Sequence, residues 1–172
     1  MAKILIVIAE RMFRDEEFSI PKYFLEGYGH EVKVASTGKG PAIGKFGTIV
    51  EPDLTLDEVN AKDYNVIIIA GGPGTPIYLW PNERLHKIVR EIYDNGGIVA
   101  AICLAPVVLS RAGILNEKRC TVFPTPDSIK EIRKGGGILE DYDVVVDDRI
   151  ITANGPEASQ KFTEAILARI GG

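Results

Sequence analysis

Cysteine, histidine and glutamine are all scarce in this chain. Two cysteines, Cys103 and Cys120, are too few for a disulfide framework and lack the spacing of a metal site. A reducing cytoplasm is therefore the expected home. The two histidines, His30 and His86, fall in segments read as helix or loop surface, so each is expected to be exposed rather than a base. Gln160 is the only glutamine beside 26% charged residues, a composition that fits a heat-adapted protein. Basic excess is missing too: the formal net charge is −4, which argues against a general nucleic-acid binder. No apolar run approaches the ~20 residues that cross a membrane. Met1-Ala2-Lys3-Ile4 leads straight into a strand-like run, so no separate signal segment is expected.

What is present is ordinary globular material. The 172 residues are 45% apolar, enough for a full core in one expected domain, residues 1–172. Ile4 to Ala9, Val66 to Ala70 and Gly97 to Ile102 are continuous apolar runs, each read as a strand buried on both faces. Glu31 to Ser36 adds another strand. Helical spacing appears in Glu17 to Tyr28, in Leu85 to Ile92, in Val107 to Ala112 and in Glu157 to Ile170. Pro21 is read as lying near the start of the first helix, where proline is tolerated. Thr37 to Glu51, rich in glycine, is read as a hairpin or flap projecting from the main sheet. Thr55 to Glu58 carries a capping pattern for a short helix. Cys120 to Phe123 is read as a short strand, Asp127 to Arg133 as a helix, and Val144 to Ala153 as a hairpin with a two-residue turn. Alternating strands and helices predict an α/β fold, a doubly wound, mostly parallel sheet with helices on both faces.

The most telling stretch is Ala101-Ile102-Cys103-Leu104-Ala105. An apolar strand stops at a thiol flanked two residues either side by alanine, and a helix follows at once. That is the frame of a nucleophile elbow, the crowded turn that holds a reactive side chain above a sheet. A helix starting there is expected to lower the thiol pKa. The plainer alternative, a small buried hydrophobe, is the usual fate of a free cysteine. Topology favours the functional reading, because sites in such sheets form at the carboxyl ends of the strands. Three loops leave such ends here, carrying Glu10 to Glu17, Gly71 to Gly74, and Cys103. The amides of Gly72 and Leu104 are candidate oxyanion donors. One of Asp15, Glu16 and Glu17 is a candidate acid that, kept protonated by burial, donates to a thiolate. A phosphate-loop reading finds little support, because no Gly-Lys-Ser/Thr follows. A dinucleotide fingerprint fails because Ile77 stands where a third glycine belongs.

These residues resemble the ThiJ/PfpI superfamily, through Lys3-Ile4-Leu5-Ile6, Gly29-His30-Glu31-Val32, Ala70-Gly71-Gly72, Ala101-Ile102-Cys103 and Ala112-Gly113-Ile114-Leu115. The resemblance implies a flavodoxin-like sandwich of the class I glutamine amidotransferase type. It also implies a nucleophilic Cys103 with oxyanion donors at Gly72 and Leu104, and it selects Glu17, four residues before Pro21, as the acid. No cofactor or metal is implied, and a homo-oligomer, dimer or higher, is. The chain also departs from the family. Leu104 stands where the protease-like branch has histidine, Pro73 to Leu79 offers no carboxylate, and Phe123 occupies another branch's histidine place. Tyr78, Trp80 and Phe123 are candidate walls of an apolar pocket near Cys103. Three functions follow as expectations: a cysteine-dependent enzyme acting on small reactive carbonyls, of glyoxalase or deglycase type; an intracellular cysteine peptidase or amidase; and a non-enzymatic redox or chaperone-like protein.

Overall fold

A computed structural model describes all residues 1–172. The chain begins with β1 (Lys3–Ile8), β2 (Arg11–Phe13), α1 (Asp15–Gly27) and β3 (Glu31–Ser36). An excursion follows through β4 (Ala42–Gly44), β5 (Ile49–Val50) and β6 (Leu54–Thr55). Two short 3-10 turns lead to β7 (Val66–Ile69), α2 (Thr75–Tyr78), α3 (Glu83–Asp94) and β8 (Ile98–Ile102). The last third holds α4 (Pro106–Arg111), β9 (Arg119–Cys120), α5 (Pro126–Lys134), β10 (Ile138–Leu139), β11 (Val144–Asp147), β12 (Ile150–Ala153) and α6 (Ser159–Gly171).

Seven strands make the main sheet, in the order β11-β12-β8-β7-β1-β3-β6. All neighbours are parallel except the β11–β12 hairpin. The fold is a doubly wound, flavodoxin-like α/β sandwich. Its central strands show no polar alternation because helices cover both faces: β7 and β8 are buried throughout. Successive side chains point to opposite sides, so one strand feeds two cores. Leu5, Val7, Ile67, Ile69 and Val99 pack with Leu85 and Ile88 of α3 and Leu109 of α4. Ile4, Ile6, Ile68 and Ala100 pack with Phe18 and Leu25 of α1 and Phe162 and Ile166 of α6. Each such fully buried Ile or Leu contributes ~1.5–3 kcal/mol.

Several local expectations are corrected. α1 starts at Asp15 rather than Glu17, which puts Pro21 in its second turn and leaves no N–H there to reach the Glu17 carbonyl. The loop read over Glu10 to Glu17 contains β2, which pairs with β4 across a register shift at Met12, a residue with φ +59°. Three residues carry no readable period, and their partner lies some thirty residues away. The glycine-rich stretch does form a hairpin, β4–β5, but it is fastened rather than free. Asp15 accepts hydrogen bonds from the amides of Phe46 (2.9 Å) and Thr48 (3.0 Å), tying the flap to the start of α1. The strand read over Cys120 to Phe123 shrinks to β9, which pairs with β10. The capping pattern at Thr55 to Glu58 is present, on a 3-10 turn. No helix is long and apolar enough to cross a membrane.

Candidate active site

The loops after β1, β7 and β8 leave three adjacent strands at the middle of the sheet, and they converge. Cys103 sits immediately after β8 with φ +65°, a left-handed conformation that costs about 1–2 kcal/mol for a residue with a side chain. Hydrogen bonds on every side hold it there. The Cys103 amide donates to Ala153 O (2.8 Å), its carbonyl accepts from Phe123 N (2.8 Å), and Ala105 N donates to Ile102 O (3.0 Å). The elbow expected from the sequence is therefore formed, with its strain fixed by neighbouring strands.

Gly71 and Gly72 are required by close approach. A Cβ on Gly71 would lie 2.6 Å from Ile102 O, 2.7 Å from the Cys103 Cβ and 2.8 Å from Glu17 Oε1. The missing side chain is what lets the thiol and the carboxyl meet. Gly72 has φ +118°, and a Cβ there would lie 2.5 Å from Arg14 N and 2.6 Å from Met12 O. Gly72→Ala is expected to destabilise the fold by at least about 2 kcal/mol, since both the dihedral and the space forbid a methyl. Thermal denaturation checks this; an unchanged Tm would contradict it.

Glu17 is wholly buried, and its Oε1 accepts from Gly71 N at 2.9 Å. Its Oε2 is buried without a donor, and the carboxyl as a whole lies against the Cys103 thiol. Burial pushes the carboxyl up to about 7, against the pull of the Gly71 amide and the nearby Arg14 charge. The Cys103 thiol is pushed up to about 12, first by burial and then by the Glu17 carboxylate, with the amides of Gly72 and Leu104 pulling the other way. The expectation of a lowered thiol pKa is thus overturned: α4 is only six residues long, and desolvation beside a carboxylate outweighs its N-terminus. The two raised groups together hold one negative charge more readily than two.

The amides of Gly72 and Leu104 point at the Cys103 sulfur, and neither donates to a backbone carbonyl. Of the three acidic candidates, only Glu17 turns inward. Asp15 serves the flap, and Glu16 pairs bidentately with Arg14, whose guanidinium lies 4.8 Å over the Phe46 ring. Nothing in the Asp15-Glu16-Glu17 run itself distinguished them.

No imidazole reaches Cys103. His30 Nδ1 accepts from Ala2 N, at the opposite end of the sheet from the thiol. His86 is buried, not exposed as expected, because it falls on the inner face of α3, where Nε2 bonds Trp80 O at 2.9 Å. Of the three aromatic residues expected to wall one pocket, two lie at the same core. Tyr78 packs against the α3 core, and Trp80 reaches the elbow backbone. Phe123 lines an open cavity of about 350 Å³ with Asn154, Gly155 and Ala158. No three His, Cys, Asp or Glu side chains come together to hold a metal ion.

Fold and site together define a doubly wound α/β protein with a strained elbow cysteine beside a buried acid. The DJ-1/PfpI family profile matches residues 2–169, and the chain belongs to that family. It is 46% identical over 169 residues to an uncharacterized protein of Methanocaldococcus jannaschii, covering 98% of this chain and 82% of that one. It is 34% identical over 155 residues to a deglycase of Pyrococcus horikoshii, covering 90% of each. A glutathione-independent glyoxalase of Caenorhabditis elegans is 31% identical over 144 residues, covering 84% of this chain and 75% of that one. The solved ThiJ/PfpI domain protein of Brachyspira murdochii superposes with a TM-score of 0.93 at 33% identity, covering 98% and 96% of the two chains.

Proposed function

We propose that this protein is a cysteine-dependent enzyme of the deglycase and glyoxalase type, with Cys103 as nucleophile toward small 2-oxoaldehydes. One observation carries the reading: a thiol, two unshared amides and a buried carboxyl near neutral pKa meet at one point. Relatives named for deglycase and glyoxalase activity support it.

The chemistry closes without an outside oxidant or reductant. Glu17 carboxylate takes the thiol proton as sulfur attacks the aldehyde carbon, and the carbonyl electron pair moves to oxygen. The Gly72 and Leu104 amides hold that oxyanion until Glu17 protonates it, giving a hemithioacetal. Glu17 carboxylate then removes the proton on the sulfur-bearing carbon, and the pair left behind forms an enediolate with its charge on the neighbouring oxygen. Glu17 returns that proton to the neighbouring carbon while the hydroxyl proton on the sulfur-bearing carbon passes to the neighbouring oxygen, which leaves a thioester. Water hydrolyses it to a 2-hydroxy acid, and the thiol regains its proton. A peptidase is disfavoured by the commitment of both imidazoles elsewhere.

The test is direct. Purified protein given a small 2-oxoaldehyde is expected to release the 2-hydroxy acid and to stop once iodoacetamide caps Cys103. Absence of product from protein whose Cys103 is intact by mass spectrometry would overturn the proposal.

A further inference from the structure

The elbow must hold a strained residue and aim an amide at the sulfur, so whatever fixes its peptides matters. The Cys103–Leu104 peptide is fixed through its carbonyl by Phe123 N, which leaves its N–H toward the thiol. The next peptide is held from both sides. Its N–H, on Ala105, donates to Ile102 O, and its carbonyl, on Leu104, accepts the Trp80 indole N–H at 2.8 Å. Apart from the contact of the Leu104 amide with the neighbouring Cys103 sulfur, that indole bond is the only side-chain hydrogen bond to the backbone of residues 102 to 105.

Trp80 is itself anchored. Its amide donates to Thr75 O (3.0 Å), and its carbonyl accepts from His86 Nε2, which must carry the proton because a carbonyl only accepts. The residue is 8% exposed, and its ring lies under the Arg111 guanidinium at 5.7 Å. A buried histidine, a buried tryptophan and the residue after the thiol thus form one chain of polar contacts from α3 to the elbow.

We infer that Trp80, braced by His86, is a positioning residue for the elbow: its indole N–H sets the Leu104 backbone so that the Leu104 amide stays on the Cys103 sulfur. The functional consequence rests on the nucleophilic role proposed for Cys103, while the positioning itself is readable without turnover. Losing the indole donor frees the Leu104 carbonyl, lets the following peptide rotate and weakens one of the two amide contacts that favour thiolate. A phenylalanine keeps one aromatic ring in place and removes the donor together with the five-membered ring that carries it.

The experiment measures the rate of iodoacetamide alkylation at Cys103, resolved from Cys120 by mass spectrometry, between about pH 6 and 10, below the value of about 12 to which the thiol is pushed, so that the rate follows the thiolate fraction. Trp80→Phe is expected to slow alkylation about tenfold across this range, equivalent to one unit of thiol pKa, and to lower kcat with little change in KM. A profile that superimposes on the wild type would overturn the inference. Because alkylation is read directly, a protein with no oxoaldehyde turnover still decides it, so its failure is separable from failure of the enzymatic reading. Should Trp80→Phe not fold, the wild type answers alone. Trp80 is the single tryptophan, so it gives one indole N–H resonance. That resonance is expected to shift when Cys103 is alkylated; an unmoved resonance would overturn the inference equally.

Discussion

Cys103→Ala is expected to yield a folded protein whose 2-oxoaldehyde turnover falls by roughly 10³-fold or more, to the uncatalysed background. The carbon–sulfur bond is the covalent link on which every later step depends, and alanine offers no lone pair to form it. Stability is expected to change by no more than about 1 kcal/mol, because one small, nearly buried atom is lost and the elbow's backbone hydrogen bonds remain. Circular dichroism and melting curves check the second part. Cys120→Ala is the matched control: its thiol lies between β9 and β10, 3.8 Å from the Ile138 carbonyl, and takes no part in the site. Its turnover is expected to match the wild type. Turnover surviving in Cys103→Ala, or lost in both variants alike, would remove Cys103 from the mechanism.

Glu17→Gln is expected to trade activity for stability, with a pH dependence that identifies the carboxyl. The buried acid is pushed up to about 7 from an ordinary value of 4.5. Below the unfolded value both states are protonated, and the folded protein has the full benefit of a neutral group at this site. As pH rises toward 7, the unfolded chain releases its proton and the folded one does not, so stability falls. Above the folded value the loss is complete, on the order of 3 kcal/mol. Glutamine is neutral at every pH, and its oxygen can still accept from Gly71. The Tm advantage of the variant over the wild type is therefore expected to be wider at pH 8 than at pH 4.5, by roughly 6–12 °C for a chain of this size. Turnover is expected to fall by about 10²–10⁴-fold, since the proton shuttle is gone. A Tm difference that stays constant with pH would show an ordinary, solvated carboxylate at position 17.

The sequence and the tertiary structure contributed different things. Continuous apolar runs announced β1, β7 and β8, because strands covered on both faces need no polar side. Alternation of those runs with helical stripes was enough for the doubly wound sheet. The alanines around Cys103 announced the elbow, since a crowded turn admits only small neighbours, and the Gly72 amide stood out as a candidate oxyanion donor. These are local demands, and local sequence records them.

What depends on contacts between distant residues was not recorded. The Asp15-Glu16-Glu17 run looks alike at each position, and a family resemblance was needed to choose Glu17. Only the packing of α1 against the β7 loop buries one carboxyl and leaves the other two outside. His86 read as a surface residue because a polar side chain on an amphipathic helix is usually solvated. Its burial follows from the Trp80 carbonyl awaiting it six residues earlier in the chain. The thiol pKa ran against expectation for the same reason: a helix start is visible in sequence, whereas desolvation and a neighbouring carboxylate are sums over the whole fold. The sequence by itself determined the sheet, the elbow and the glycines that crowd it, because sterics and hydrophobic period act over a few residues. Tertiary structure alone decided which acid faces the thiol, how both titrate and which side chain braces the elbow, because burial and electrostatics are set by everything packed around a group.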